Sequence, residues 1–98
     1  MARLIWSPRS VQDLNDICDY ISRDSEFYAK VVSKEIITEV ERIPDHPLAG
    51  SIVPEYDKDE IRERFLYNYR IIYRVQGETI EIVTICHGAR LLPDDFAK

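Results

Sequence analysis

Five arginines and one histidine in the second half of the chain are of the types that phosphate chemistry needs: Arg62, Arg64, Arg70, Arg74, Arg90 and His87. A guanidinium is a planar fork that holds two phosphate oxygens at once, so such a set suits a phosphorane-like transition state. His87 has the unperturbed pKa suited to proton transfer near neutrality. Cleavage at a phosphate also needs a base for the attacking hydroxyl's proton and an acid for the oxygen that leaves. The charge stabilisers are present, but a clear general acid is missing. Arginine titrates too high to serve as a base. The same residues have plainer readings. His87 also reads as a hydrogen-bonded histidine at a strand end, and His46, between two prolines, reads as surface. The arginines also read as a solvated face, a partner surface, or partners for Glu63, which would be costly to bury unpaired.

The elements that must position these residues follow from hydrophobic spacing. Residues 2–7, ARLIWS, are short, apolar and aromatic and predict a strand. Ser7-Pro8 is a helix start, serine as cap and proline in the first turn. Val11, Leu14, Ile17, Cys18 and Ile21 then recur at three- and four-residue steps, with Asp13, Asp16 and Asp19 off that stripe. Ser25 caps a second helix whose stripe is Ala29, Val32, Ile36, Val40 and Ile43, ended by Pro44 and Pro47. Residues 44–59 are rich in proline and charge and predict a loop. From Glu60 the period changes to two, and IRERFL, NYRIIYRV and TIEIVTICH predict three strands, the last two joined tightly through Gln76-Gly77-Glu78. In the middle one Tyr69, Ile71, Tyr73 and Val75 share one side, and Arg70, Ile72 and Arg74 share the other. Trp6 and Tyr73 are expected in the core.

The order β-α-α-β-β-β predicts an α+β fold in one domain, residues 1–98. A helical hairpin packs on one face of a mainly antiparallel four-stranded sheet. The last strand is apolar on both faces, so it is expected to be central or covered on its second face by the tail or a partner.

Bulk properties narrow the function classes. The chain has 98 residues, with 13 basic and 18 acidic side chains, a net charge of -5. That balance argues against general coating of nucleic acid, which needs a basic excess. Residues 1–59 hold seven bases and twelve acids, whereas residues 60–98 hold six of each, five of the bases being the arginines above. Two different surfaces are therefore expected. Cys18 and Cys86 are far apart and fit no metal or dithiol spacing, so both read as buried free thiols, and neither a metal nor a cofactor is expected. No membrane-length apolar run or signal peptide is visible, and a cytoplasmic protein is expected.

LIWSP, DLNDICDYI, PLAG, IRE, YRIIYRV and ICHGAR occur in this order over nearly the whole chain. This ordered set resembles the RelE/ParE toxin superfamily of bacterial type II toxin–antitoxin modules. The resemblance implies a cognate antitoxin as partner and a toxin–antitoxin hetero-oligomer. It implies one of two targets: ribosome-bound mRNA, cut by RelE-like members, or DNA gyrase, poisoned by ParE-like members. In the RelE-like pattern Arg70 and Arg90 stand at functional positions. The residues themselves offer His87 as the acid or base of such a nuclease, and Arg62, Arg64 and Arg74 as binding groups. HGAR is similar to ParE-like members, where no nuclease chemistry is expected and Arg90 and its neighbours are binding or structural groups. The resemblance implies a tyrosine close to the C-terminus in a nuclease member, where this tail, RLLPDDFAK, has Phe96, which has no proton to give, and Asp94 and Asp95, which would repel a phosphate. With the acidic balance, this favours ParE-like gyrase inhibition over an mRNA endoribonuclease. A non-toxic member that binds only its antitoxin is a third expectation. The antitoxin is expected at an exposed sheet edge and in the cleft beside the helical hairpin.

Overall fold

The computed structural model describes residues 2–93, and the sequence expectations for Asp94, Asp95 and Phe96 lie outside them. The chain runs through β1 (Arg3–Trp6), α1 (Pro8–Ser22), α2 (Glu26–Arg42), β2 (Ser51–Ile52), β3 (Ile61–Leu66), β4 (Tyr69–Gln76) and β5 (Thr79–His87), with a 3-10 turn at Ile43–Asp45. Both helices begin at the expected serines. The Ser7 hydroxyl accepts from Ser10 N–H at 3.0 Å, and that of Ser25 accepts from Tyr28 N–H at 3.0 Å. Each satisfies one of the amides that a first helical turn leaves without a partner.

The sheet has five strands in the order β1-β5-β4-β3-β2. β1 runs parallel to β5, and the other neighbours are antiparallel. The four-stranded expectation missed β2, where Ser51 and Ile52 pair with Glu63 and Arg62 inside the proline-rich loop. Two residues are too few to show a period, so the sequence carries no strand signal there.

Each sheet face has its own core. On the helix face, Ile71, Tyr73, Ile80, Ile82 and Ile85 pack against Val32, Ile36, Val40 and Ile43, with Leu14, Ile17 and Ile21 of α1 at the border. Val11, expected in the α1 stripe, is exposed, and α1 buries only Ser10 completely. The second face is covered by the chain itself: Val53 from the loop and Leu92 from the tail close over Ile61, Ile72, Val83 and Cys86.

A bulge reconciles the mixed pattern of β5. Ile72 pairs with Thr84 and Tyr73 with Ile82, so Val83 has no partner in β4. One extra residue shifts the alternation, which is how Ile80, Ile82 and Ile85 all face the helices while Val83 and Cys86 face away. α1 satisfies the polar groups around this irregularity. The Ser7 hydroxyl donates to Val83 C=O at 2.8 Å, and Asp13 Oδ2 accepts from Ile85 N–H at 3.0 Å and from the Thr84 hydroxyl. Asp13 therefore turns inward, against the solvent-facing position its spacing suggested.

The long loop is anchored by Tyr73 and Arg62. The fully buried Tyr73 donates its hydroxyl to Pro47 C=O at 2.6 Å and accepts from Gly50 N–H at 3.2 Å. Arg62 reaches Leu48 and Gly50 carbonyls at 3.1 and 3.0 Å.

Candidate functional site

Arg70, Arg90 and His87 are brought together at the end of β4 and β5 and the turn that follows. Arg90 N–H donates to His87 C=O at 3.0 Å, closing a turn that sends the tail back over the second sheet face. Gly88 is needed there. Its N–H donates to Asn68 C=O at 2.6 Å, and a Cβ on it would meet that oxygen at 3.1 Å.

Arg70 lies at the centre of a buried ionic cluster. It is 5% exposed. Its Nε donates to Glu63 Oε1 at 2.6 Å, its two terminal nitrogens grip both Glu55 oxygens at 2.7 and 2.9 Å, and Nη1 also reaches Arg90 C=O at 3.3 Å. The fork that suits a phosphate is thus filled by two carboxylates. Glu63 finds the arginine that its buried position demanded. The Arg70 hydrogen bonds hold the Glu55 carboxyl down at about 2, and Glu55 in return raises the Arg70 pKa further. Glu55 Oε2 also accepts from Leu92 N–H at 3.2 Å. No spacing rule joins positions 55, 63, 70 and 92, so the sequence signalled the Glu63 pairing but not Glu55.

The other candidate arginines lie elsewhere. Arg64 pairs with Glu39 of α2 at 3.1 Å, and Arg62 pairs with Asp59 at 2.8 Å while bridging the loop carbonyls. Arg74 faces Glu81 at 3.8 Å at the opposite end of β4 from Arg70. Of the five, Arg90 alone has a guanidinium without a hydrogen bond or ion pair to any described residue.

Arg90 stands between two open clefts. The first, about 470 Å³, lies against α1 and is lined by Asp13, Asp16, Tyr20, Tyr69 and His87. The His87 and Tyr69 rings meet edge to face at 6.3 Å, and His87 Nδ1 accepts distantly, at 3.5 Å, from Ala89 N–H. The second cleft lies above the Arg70 cluster and is walled by Phe65, Ala89 and Leu91. Phe65 and Leu91 are 59% and 82% exposed, and Tyr20, Tyr28 and Tyr67 also stand out into solvent. Burial raises the pKa of the Cys86 thiol behind the first cleft, which disfavours its reactive thiolate. This end of the molecule combines an arginine unpaired among the described residues with exposed aromatics, a composition that suits protein contact. Among the described residues no three histidine, cysteine or acidic side chains converge as a metal site, and no helix is long and apolar enough to cross a membrane.

Comparisons with known proteins agree with this architecture. The model of the ParE toxin of type II toxin–antitoxin systems, parDE, matches residues 4–92. A curated relative named Toxin RelE2, from Caulobacter vibrioides, is 30% identical over 92 residues, which cover 93% of this chain and 100% of that protein. A solved chain of the chromosomal ParDE system from P. aeruginosa superposes with a TM-score of 0.75 at 23% identity, covering 89% of this chain and 96% of that one. The YoeB dimer from Staphylococcus aureus gives a TM-score of 0.58 at 17% identity, covering 88% and 94%. At those identities the two structures speak for the fold. Fold and family match together define a toxin of a type II toxin–antitoxin system, of RelE/ParE type. Within that class the chain belongs to the ParE toxin family.

Proposed function

We propose that this toxin acts by binding DNA gyrase, without nuclease chemistry of its own, and that a cognate antitoxin neutralises it in a hetero-oligomer. The observation that carries the reading is the state of Arg70. A phosphate entering there would have to displace Glu55 and Glu63 from a buried guanidinium, and those carboxylates would repel it. Acidic Asp13 and Asp16 beside His87 and Arg90 likewise disfavour a polyanion. The contact surface is the end of the molecule that carries Arg90, His87 and the exposed Phe65, Leu91, Tyr20 and Tyr67, and its target places the toxin in the cytoplasm. The antitoxin takes the open outer edge of β1 and the cleft along α1, where backbone groups and an apolar border await a strand or a helix.

The name of the Caulobacter relative favours one alternative, a ribosome-dependent mRNA endoribonuclease using Arg90 and His87. Purified protein tested on gyrase and on ribosome-bound mRNA separates the two. The proposal expects inhibited supercoiling and intact message. Cut message with normal supercoiling overturns it. Growth arrest on expression without antitoxin tests whether the chain is toxic at all.

A further inference from the structure

We propose that Glu55, Arg70 and Glu63 form a positioning clamp that sets the place of Arg90, so that Arg70 serves the binding surface indirectly, from beneath it. The geometry is specific. The cluster ties four separate stretches at one point: the loop through Glu55, β3 through Glu63, β4 through Arg70, and the tail through Arg90 C=O and Leu92 N–H. Both tail contacts are to backbone, so they fix the path of the chain on either side of Leu91 and leave the Arg90 guanidinium outside the cluster. The Arg90 carbonyl is held from below by Arg70 while its amide closes the turn onto His87. The orientation of this one residue is therefore specified at both backbone ends.

The energetics give the clamp its leverage. The second-face core is small, and both covering residues, Val53 and Leu92, come from segments with no long element of their own. Such a cover opens locally at far lower cost than the helix-face core, unless something fastens it. Glu55 fastens both segments to Arg70, beside the Tyr56 hydroxyl, which donates to Pro93 C=O and joins loop to tail directly. Glu55 carries the loop, and its Oε2 receives both Arg70 Nη1 and Leu92 N–H. Releasing Glu55 frees loop and tail, still joined through Tyr56, from Arg70 together, and Arg90 loses its fixed position while the helical hairpin and its core stay folded.

This inference rests on the reading that the Arg90 end contacts gyrase, and the experiment separates the two. Glu55→Gln keeps size and removes the charge that holds Arg70. Amide exchange is measured for the wild type, Glu55→Gln, Arg90→Ala and the double variant, together with half-maximal inhibition of gyrase per folded molecule. Glu55→Gln is expected to speed exchange at Leu92 and Arg90 about tenfold or more, with Val32, Ile36 and Val40 unchanged. Its loss of inhibition should approach that of Arg90→Ala, and the double variant should be no weaker than Arg90→Ala, because both act through one group. Unchanged exchange at Leu92 overturns the clamp. So does a double variant whose loss is the product of the two single losses, which assigns Glu55 an independent or general structural effect. If the wild type leaves gyrase untouched, the proposed target fails, while the exchange at Leu92 still decides whether the clamp exists.

Discussion

Arg70 shows how a residue of the right type at the right place acquires a different job from its surroundings. Its strand position and chemistry suggest phosphate binding, but two acids reach it first. Removing one partner of a buried ionic cluster strands the others, so Arg70→Met is expected to lower unfolding free energy by about 3–5 kcal/mol. Adding Glu63→Gln should recover part of that loss, since it removes one stranded charge. Urea denaturation of the two variants checks both expectations. The clamp also has a defined acid limit. In the folded protein Arg70 holds the Glu55 carboxyl at about 2, below the ordinary 4.5, so its stabilisation is complete above about 4.5 and is lost as pH falls from there through about 2. Denaturation midpoints of the wild type should drop over that range more steeply than those of Glu55→Gln. The sequence shows that Glu63 needs either a cation or a bulge that turns it outward, because Ile61, Glu63 and Phe65 share one strand side, and the structure supplies the cation. The sequence does not show Glu55, whose contact with Arg70 depends on how the loop folds back. The loop has neither a helical nor a strand period from which that path follows.

Among the elements, α1 is the least self-sufficient. It buries no apolar side chain completely, and its N-terminal half is fastened to the β5 bulge by Ser7 and Asp13. Asp13→Ala leaves Ile85 N–H and the Thr84 hydroxyl without their acceptor and is expected to cost about 1–3 kcal/mol. Faster exchange at Ile85 and a lower thermal midpoint, with α2 protection retained until global unfolding, would bear this out. Helix starts and stripes were legible in the sequence because serine caps and apolar spacing are local signals. Ser7, Ser25 and the whole α2 stripe stand where spacing put them. The bulge left only an indirect trace, the slip from Ile80 and Ile82 to Ile85, which can equally mean a strand buried on both sides. Both are true of β5. The two-residue β2 and the inward turn of Asp13 depend on partners distant in sequence, and local pattern does not report them.

At the scale of the whole molecule, the helical hairpin and sheet form a scaffold, and the loop and tail fold over its second face to present Arg90. That surface carries a cation unpaired among the described residues, exposed aromatics and neighbouring acids, which suits a protein partner better than an RNA backbone. The family was legible because short words recur in order along nearly the whole chain. The target was less so, since Arg70, the residue placed to hold a phosphate, is filled by carboxylates, and the approach of Glu55 depends on the path of the loop. The most direct test of the account is a gyrase supercoiling assay with purified protein, run beside cleavage of ribosome-bound mRNA and repeated with Arg90→Ala. The account expects the wild type to inhibit supercoiling and spare the message, and Arg90→Ala to lose about tenfold or more in inhibition at unchanged thermal stability. Message cut by the wild type, with supercoiling untouched and cleavage lost in Arg90→Ala, would contradict it.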